Sequence, residues 1–222
     1  MRWQVYPSRG ALMEGLSAIL ARELRDCLKA GPATLSVPGG TTPVPGFDAL
    51  SGADLNWAGV SVVLNDERWV GEDSPRSNTR LLRERLLHGP AAAARLLPLY
   101  AQAPQPEDAL ADLSRAIEPH LPLSVLLLGM GSDMHTASLF PGADHLAQAL
   151  APDAPVLMAL RSEAAGEPRI TLTARVLQAA RHIHILIVGA DKREALERAR
   201  HLPPKVAPVA AVLGQATIHW AE

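Results

Sequence analysis

The sequence has a single cysteine, Cys27, and only three lysines, at positions 29, 192 and 205, against 18 arginines. One cysteine can form neither an intrachain disulfide nor a cysteine-based zinc cluster, so a disulfide-stapled secreted scaffold is excluded. The scarcity of lysine leaves three candidate amines for any Schiff-base chemistry. Cys27 falls on the apolar stripe of a predicted helix, which favours packing over a role as a nucleophile. The composition fits a reducing compartment.

An excess of positive charge is also missing: 21 basic residues face 23 acidic ones, for a formal net charge of −2. A global basic field for nucleic acid is thereby excluded, whereas a local anion site is not. The longest apolar runs are far shorter than the ~20 residues that cross a bilayer. The N-terminal MRWQVYPSRG has no apolar region typical of a secretory signal. We therefore expect a cytoplasmic protein with neither a membrane nor a nucleic acid as partner.

What is present is an ordinary globular composition, with 222 residues of which 48% are hydrophobic. We expect one domain over residues 1–222. Short apolar runs predict strands at 33–37, 60–64, 123–128, 156–160 and 182–188, with weaker candidates at 209–213 and 218–220. Helical spacing predicts helices at 11–30, 77–87, 107–118, 173–180 and 191–201. Alternating strands and helices predict an α/β fold whose mainly parallel sheet is covered on both faces.

Polar, often glycine-containing loops follow four of these runs: PGGTTP, NDERW, GMGSDMHT and GADK. In an open parallel sheet, ligands bind outside the carboxyl ends of the strands. The four loops are therefore expected to share one rim.

The first loop contains Gly39, Gly40, Thr41 and Thr42 between a strand and a short predicted helix. Two glycines let the backbone approach an anion closely, and amides and hydroxyls favour phosphate. A plain Gly-Pro turn explains the segment equally well. The segment is neither a Walker A loop nor a dinucleotide fingerprint.

The third loop carries Asp133 and His135 directly after a buried strand. An imidazole there can accept a proton from water near neutral pH, and a nearby carboxylate would fix its tautomer. Their closeness in sequence does not guarantee contact, and His135 could instead cap the next element. Residues 136–141 (TASLFP) are predicted to form a short helical turn that ends at proline.

Charged residues beside the other strands complete the candidate site. Asp66 and Glu67 could orient water or sugar hydroxyls, and Arg68 could neutralise phosphate. Arg169 and Lys192 are further candidate cations. Salt bridges between loops explain at least one residue of the Asp66–Arg68 segment, and surface exposure is the usual explanation for a single cation.

No metal site is predicted. His182 and His184 share one face of a strand without a third ligand, so packing against the sheet is favoured. Ser138 lies outside a Gly-x-Ser-x-Gly elbow, which leaves a serine-hydrolase triad unsupported.

The order GGTTP, NDERWV with SNTRLL, GMGSDMHTASLFPG, PRITLT and VGADK resembles the 6-phosphogluconolactonase family. The resemblance runs from about residue 35 to residue 195, and HTASLFPG is its most specific piece. It implies a Rossmann-like three-layer α/β/α fold shared with glucosamine-6-phosphate deaminase. It also implies hydrolysis of 6-phospho-D-glucono-1,5-lactone in the oxidative pentose phosphate pathway, with no metal or organic cofactor. The oligomeric state is left between a monomer and a weak dimer.

By position, the resemblance implies that His135 is the catalytic base, with Asp133 as its acidic neighbour. The expected substrate-binding residues are Gly39, Gly40, Thr41, Thr42, Asp66, Arg68, Arg169 and Lys192. One departure concerns Met134, because the family usually has glycine between this aspartate and histidine. If that position needs a positive φ, methionine is strained there; if the glycine only leaves space, Met134 could line the pocket.

Two other functions fit the same residues. A 6-phosphosugar isomerase or deaminase would use the phosphate loop but abstract a C2 proton with a carboxylate such as Asp66. A non-enzymatic sugar-phosphate sensor would bind without turnover, although sensors usually carry a DNA-binding domain for which this chain has no basic segment. TASLFP after His135 favours the lactonase.

Overall fold

The computed structural model describes residues 1–163 and 165–222 and contains a seven-stranded sheet. Its strands, in spatial order, are β1 (Arg2–Val5), β10 (Thr217–Ala221), β9 (His182–Val188), β6 (Val125–Gly129), β2 (Ala33–Val37), β3 (Val60–Leu64) and β5 (Arg95–Leu97). All neighbouring pairs in this sheet are parallel. The predicted strands at 33–37, 60–64 and 182–188 are confirmed, because their unbroken apolar runs are buried within the sheet.

Seven helices in the described part of the chain flank the sheet. They are α1 (Arg9–Leu28), α2 (Val44–Ser51), α3 (Asn78–Arg85), α4 (Leu110–Ile117), α5 (Leu146–Ala149), α6 (Ala174–Gln178) and α7 (Ala190–Ala199). Each predicted helix is present, with ends that differ by a few residues. The predicted Rossmann-like α/β class, with a mainly parallel sheet between helices, is confirmed. None of these helices combines the length and apolar composition that a bilayer crossing requires.

A second sheet of three antiparallel strands was not expected. It consists of β4 (Asp66–Arg68), β8 (Arg169–Leu172) and β7 (Leu157–Leu160), with β8 in the centre. The strand predicted at 156–160 therefore exists but belongs to this sheet and not to the parallel one. β4 follows β3 after one residue, Asn65, so the small sheet stands at the carboxyl end of the large one.

The weaker strand prediction at 209–213 is wrong. Pro208–Ala211 form a short 3₁₀ turn, and the Val209 amide donates to the Met134 carbonyl at 3.1 Å instead of to a strand. Proline removes a ladder donor at the start of the segment, which disfavours a strand there.

Between β2 and β6 the sheet opens into a crevice. These strands pair only through Leu35–Val125 and Ser36–Leu126, and the chain proceeds in opposite lateral directions from them. The buried Asn65 side chain bridges the gap, because its Nδ2 donates to the Leu127 carbonyl at 2.8 Å and its Oδ1 accepts from Ser36 Oγ. Such a reversal of strand order is where open α/β sheets bind ligands.

Candidate functional site

A cavity of about 370 Å³ opens at this crevice, and loops from both sheets line it. Eight residues expected from the sequence lie in its wall: Gly39, Gly40, Thr42, Asp66, Arg68, His135, Arg169 and Lys192. The expectation that the four polar loops share one rim is met, since each contributes at least one of these residues. Thr41 belongs to the same turn but is exposed and outside the cavity wall. Successive side chains of a turn point in different directions, and only Thr42 of the two threonines lines the cavity.

His135 is oriented by Asp133, which lies behind it and outside the cavity wall. Asp133 Oδ1 is 2.6 Å from the imidazole Nδ1 and 3.2 Å from the backbone nitrogen of His135. A carboxylate accepts hydrogen bonds, so Nδ1 carries the proton and Nε2 keeps its lone pair. The buried ring of Phe140 packs on the imidazole at a centroid distance of 4.3 Å. The contact that the sequence left open is therefore made, and its geometry suits a base at Nε2.

The backbone that presents His135 is strained at two positions. We call residues 130–141 the histidine loop. Met134 has φ +66° and Ala137 has φ +49°, so the strain anticipated for methionine at this position is confirmed. Thr136 Oγ1 donates to the carbonyl of Gly129, the last residue of β6, at 2.8 Å, and the Gly131 amide donates to the His135 carbonyl at 2.9 Å. Strained φ angles persist where surrounding bonds over-determine the conformation, as these do.

The end of the histidine loop differs from expectation. The predicted helical turn over residues 136–141 is instead a tight turn in which the Leu139 amide donates to the Thr136 carbonyl. Ser138 is fully buried in this turn, and its hydroxyl donates to Asp66 Oδ2 at 2.5 Å. The hydroxyl is thus committed to a carboxylate and is inaccessible, which agrees with the absence of a serine-hydrolase motif.

The glycine turn, residues 38–43, forms another wall of the cavity and packs closely against Asn78. A Cβ on Gly39 would lie 2.0 Å from Asn78 Oδ1, and Gly40 has φ +83°. Both positions therefore require glycine. Asn78 begins α3 and also lines the cavity, with its Nδ2 donating to the Asp66 carbonyl at 3.1 Å. Sequence reasoning recognised the helix start here but missed Asn78 as a wall residue.

Glu67 has a structural role between the two cavity residues that flank it. Its fully buried carboxylate accepts from the amides of Arg68, Asn78 and Thr79 at 2.7–2.8 Å. It also accepts from the hydroxyls of Thr79 and Ser77. Burial raises the pKa of Glu67, and these hydrogen bonds oppose that effect. The carboxylate fastens α3 to β4, so one of the three residues in the Asp66–Arg68 segment is indeed structural.

Arg68 and Arg169 form a positively charged pair on the small sheet, where they stand opposite each other in register. Arg169 is buried, and burial lowers its pKa despite the compensating charge of Asp66. Arg169 Nη2 donates to the Ala165 carbonyl at 3.0 Å, and Arg68 Nη1 donates to the Arg76 carbonyl. Within residues 1–163 and 165–222, the buried Nε atoms of both arginines have no hydrogen-bond partner. Unpaired buried donors on like-charged groups favour an anionic ligand.

Lys192, on α7, supplies the third cation of the cavity. Its Nζ donates to the Met130 carbonyl at 2.9 Å. Burial lowers the pKa of Lys192, and the charge of Asp133 opposes that shift. The lysine therefore lies beside the histidine loop, whereas the two arginines lie on the small sheet beside Asp66.

His182 and His184 lie away from this cavity and share a different partner. His184 Nε2 is 2.6 Å from Glu23 Oε2, and His182 Nδ1 is 3.7 Å from Glu23 Oε1. Across the described ranges, no group of three or more His, Cys, Asp or Glu side chains is arranged to hold a metal ion.

Comparison with known proteins identifies the family. A family model described as glucosamine-6-phosphate isomerases/6-phosphogluconolactonase matches residues 7–220. The chain belongs to this family. A 6-phosphogluconolactonase from Mesorhizobium japonicum is 43% identical over 227 residues, which cover 99% of this chain and 94% of the relative. One from Rhizobium meliloti is 40% identical, covering 98% and 97%.

A solved structure agrees with these relatives. The crystal structure of a 6-phosphogluconolactonase from Shewanella baltica OS155 superimposes with a TM-score of 0.96 at 31% identity, covering 100% of this chain and 98% of that one. The fold, the family and the enzyme class predicted from the sequence are thereby confirmed at the level of the 6-phosphogluconolactonase family.

Proposed function

We propose that this chain hydrolyses 6-phospho-D-glucono-1,5-lactone to 6-phospho-D-gluconate, with His135 as the general base. One observation carries the proposal. The imidazole is held by Asp133 through Nδ1, and it lines a cavity that also contains three cations. That combination suits a ligand with an anionic group at one end and a hydrolysable bond at the other. The names of the relatives agree with this reading.

In the proposed reaction, neutral His135 accepts a proton at Nε2 from a water molecule as the water oxygen attacks lactone C1. Asp133 stabilises the imidazolium that forms, because its carboxylate already accepts the Nδ1 proton. The tetrahedral intermediate then collapses, the bond from C1 to the ring oxygen breaks, and the imidazolium returns its proton to that oxygen. Acid–base assistance of this type contributes ~10²–10⁴ in rate. The steps use water and side chains and need no metal or organic cofactor.

Substrate binding is assigned to the rest of the cavity. The phosphate would lie against the glycine turn, with positive charge from Arg68, Arg169 and Lys192. Asp66 would accept hydrogen bonds from sugar hydroxyls. The same proposal places the protein in the cytoplasm as one domain over residues 1–222, as a monomer or a weak dimer.

The test is lactone hydrolysis by the purified protein above the spontaneous rate. His135→Ala should lower kcat by at least about 10²-fold with little change in KM, because the base acts on the chemical step. A His135→Ala variant with full turnover would exclude the mechanism.

The cations are tested with Arg169→Ala and Lys192→Ala, assayed on the phosphorylated lactone and on gluconolactone without phosphate. Each should raise KM for the phosphorylated substrate and leave kinetics on the phosphate-free lactone nearly unchanged. Equal effects on both substrates would contradict phosphate binding by these residues.

The alternative is a 6-phosphosugar isomerase or deaminase that uses Asp66 as its base. The family description covers both activities, so the assay includes glucosamine 6-phosphate as a second substrate. Turnover of that amine, abolished in Asp66→Asn and retained in His135→Ala, would establish the alternative.

A further inference from the structure

We infer that Ser138 is a positioning residue for substrate binding, because its hydroxyl fixes the carboxylate of Asp66. This inference rests on the proposed function, in which Asp66 binds sugar hydroxyls. Ser138 itself lies outside the cavity wall and is fully buried, so it acts only through Asp66.

The contact joins two elements that are far apart in sequence. Ser138 Oγ donates to Asp66 Oδ2 at 2.5 Å, across 72 positions of the chain. The Ser138 amide also donates to Thr171 Oγ1 at 3.2 Å. Asp66 and Thr171 are direct partners in the antiparallel pair of β4 and β8. One serine therefore attaches the histidine loop to a single residue pair of the small sheet, Asp66 and Thr171, through two hydrogen bonds.

The hydroxyl also decides which carboxylate oxygen is left for a ligand. Oδ2 is occupied by Ser138, whereas Oδ1 receives no hydrogen bond from any residue that the structure describes. Asp66 is nearly buried but lines the cavity. Without Ser138, the carboxylate could turn toward Arg169, whose positive charge already interacts with it. An ion pair formed that way would withdraw both groups from the substrate.

Position 138 is also well placed to separate binding from chemistry. In Ser138→Ala the backbone bond to Thr171 remains, so the histidine loop keeps one of its two hydrogen bonds to the small sheet at this position. His135 keeps its bond to Asp133, which does not involve Ser138. The loss of the hydroxyl should consequently act on substrate affinity and leave the base intact.

The experiment is a double-mutant cycle of Ser138→Ala, Asp66→Ala and the double variant, with kcat and KM measured for the phosphorylated lactone. A hydrogen bond to a charged group supports an expected rise in KM of about tenfold for Ser138→Ala, with kcat within about twofold of wild type. The KM of the double variant should be no higher than that of Asp66→Ala alone, because the serine acts through the aspartate.

The matched control is Ser124→Ala. Ser124 is also buried, but it precedes β6 at the opposite end of the sheet, and its hydroxyl accepts from the Thr34 amide. It should lower the free energy of unfolding by a similar amount and leave KM unchanged. A merely structural role for Ser138 would give the same result as this control.

Two results would overturn the inference: an unchanged KM in Ser138→Ala, or additive effects of the two substitutions in the double variant. The same cycle is measured in parallel as the Kd for 6-phosphogluconate by calorimetry. Should the wild type bind this product without hydrolysing the lactone, the proposed function fails while the Kd cycle still decides the role of Ser138. If the wild type neither binds 6-phosphogluconate nor hydrolyses the lactone, the proposed function and the role of Ser138 are both overturned.

Discussion

Acidification should destabilise this protein through one buried imidazole, His219. A continuous series of hydrogen bonds connects side chains of α1, β9 and β10 with Tyr6. Tyr6 Oη is 2.9 Å from His219 Nδ1, and His219 Nε2 is 2.9 Å from His184 Nδ1. The last member of the series is Glu23, whose Oε2 is 2.6 Å from His184 Nε2. His219 is fully buried.

The ionisation of Glu23, at the end of this series, limits where the protons of the hydrogen bonds lie. Burial raises the pKa of Glu23, but the hydrogen bond and charge of His184 outweigh it and hold that pKa below its ordinary value. An ionised Glu23 only accepts, so His184 donates to it from Nε2. A neutral His219 carries one ring proton, so it donates to one of its two neighbours, Tyr6 or His184, and accepts from the other.

The magnitude follows from the pKa of His219, which burial chiefly, together with the charge of His184, lowers from 6.5 to about 3. Below pH 6.5 the unfolded chain binds a proton at this position that the folded chain does not. The stabilisation is therefore complete above pH 6.5 and is lost progressively as the pH falls toward 3. At about 1.36 kcal/mol per pH unit, lowering the pH from 7 to 5 should cost about 2 kcal/mol.

The assay is urea-induced unfolding of the wild type and His219→Gln at pH 7 and pH 5. Glutamine keeps a donor near His184 but does not titrate. The change in unfolding free energy between pH 7 and pH 5 should therefore be about 2 kcal/mol smaller in His219→Gln than in the wild type. The exposed His201→Gln should retain the wild-type pH dependence. Glu23 contributes little here, since it is ionised in both states over most of this range. Equal pH dependence in the wild type and His219→Gln would show that His219 does not cause the loss of stability.

Two backbone positions of the site give further predictions. Gly39→Ala should raise KM and lower the unfolding free energy by about 1–3 kcal/mol, since its Cβ would collide with Asn78. Gly52→Ala, where the nearest atom is 4.0 Å away, should change neither. Met134→Val should be less stable than Met134→Gly by about 1–2 kcal/mol in urea unfolding, because only glycine adopts φ +66° freely. Equal stabilities of the two variants would show that the loop relaxes out of this conformation.

The sequence predicted much of this fold because a strand buried on both faces appears as an unbroken apolar run in the sequence. The apolar runs at 33–37, 60–64 and 182–188 coincide with β2, β3 and β9, since strands covered on both faces need apolar side chains at every position. The same pattern located the polar loops at the carboxyl ends of the strands. His135, Arg68 and Lys192 could be selected from those loops by their chemistry, whereas Arg169 was chosen as a cation beside a further apolar segment.

Short elements show no such run. The strands β1, β4, β5 and β8 have only three or four residues, too few to show a periodic pattern. The apolar run at 156–160 was recognised as a strand, but its partner β8 was not. An apolar run shows that a segment is buried and does not show which strand pairs with it.

The class of fold, the rim on which the loops meet and the residue types available there all followed from the amino-acid sequence. The contact of Asp133 with His135, the hydrogen bonds of Glu67 to α3, the hydrogen bond of Ser138 to Asp66 and the place of Thr41 outside the cavity became visible in the folded protein. A hydrogen bond depends on the distance and direction between two atoms, which spacing along the chain does not fix. Such geometry between residues 66 and 138 exists only after both sheets have formed.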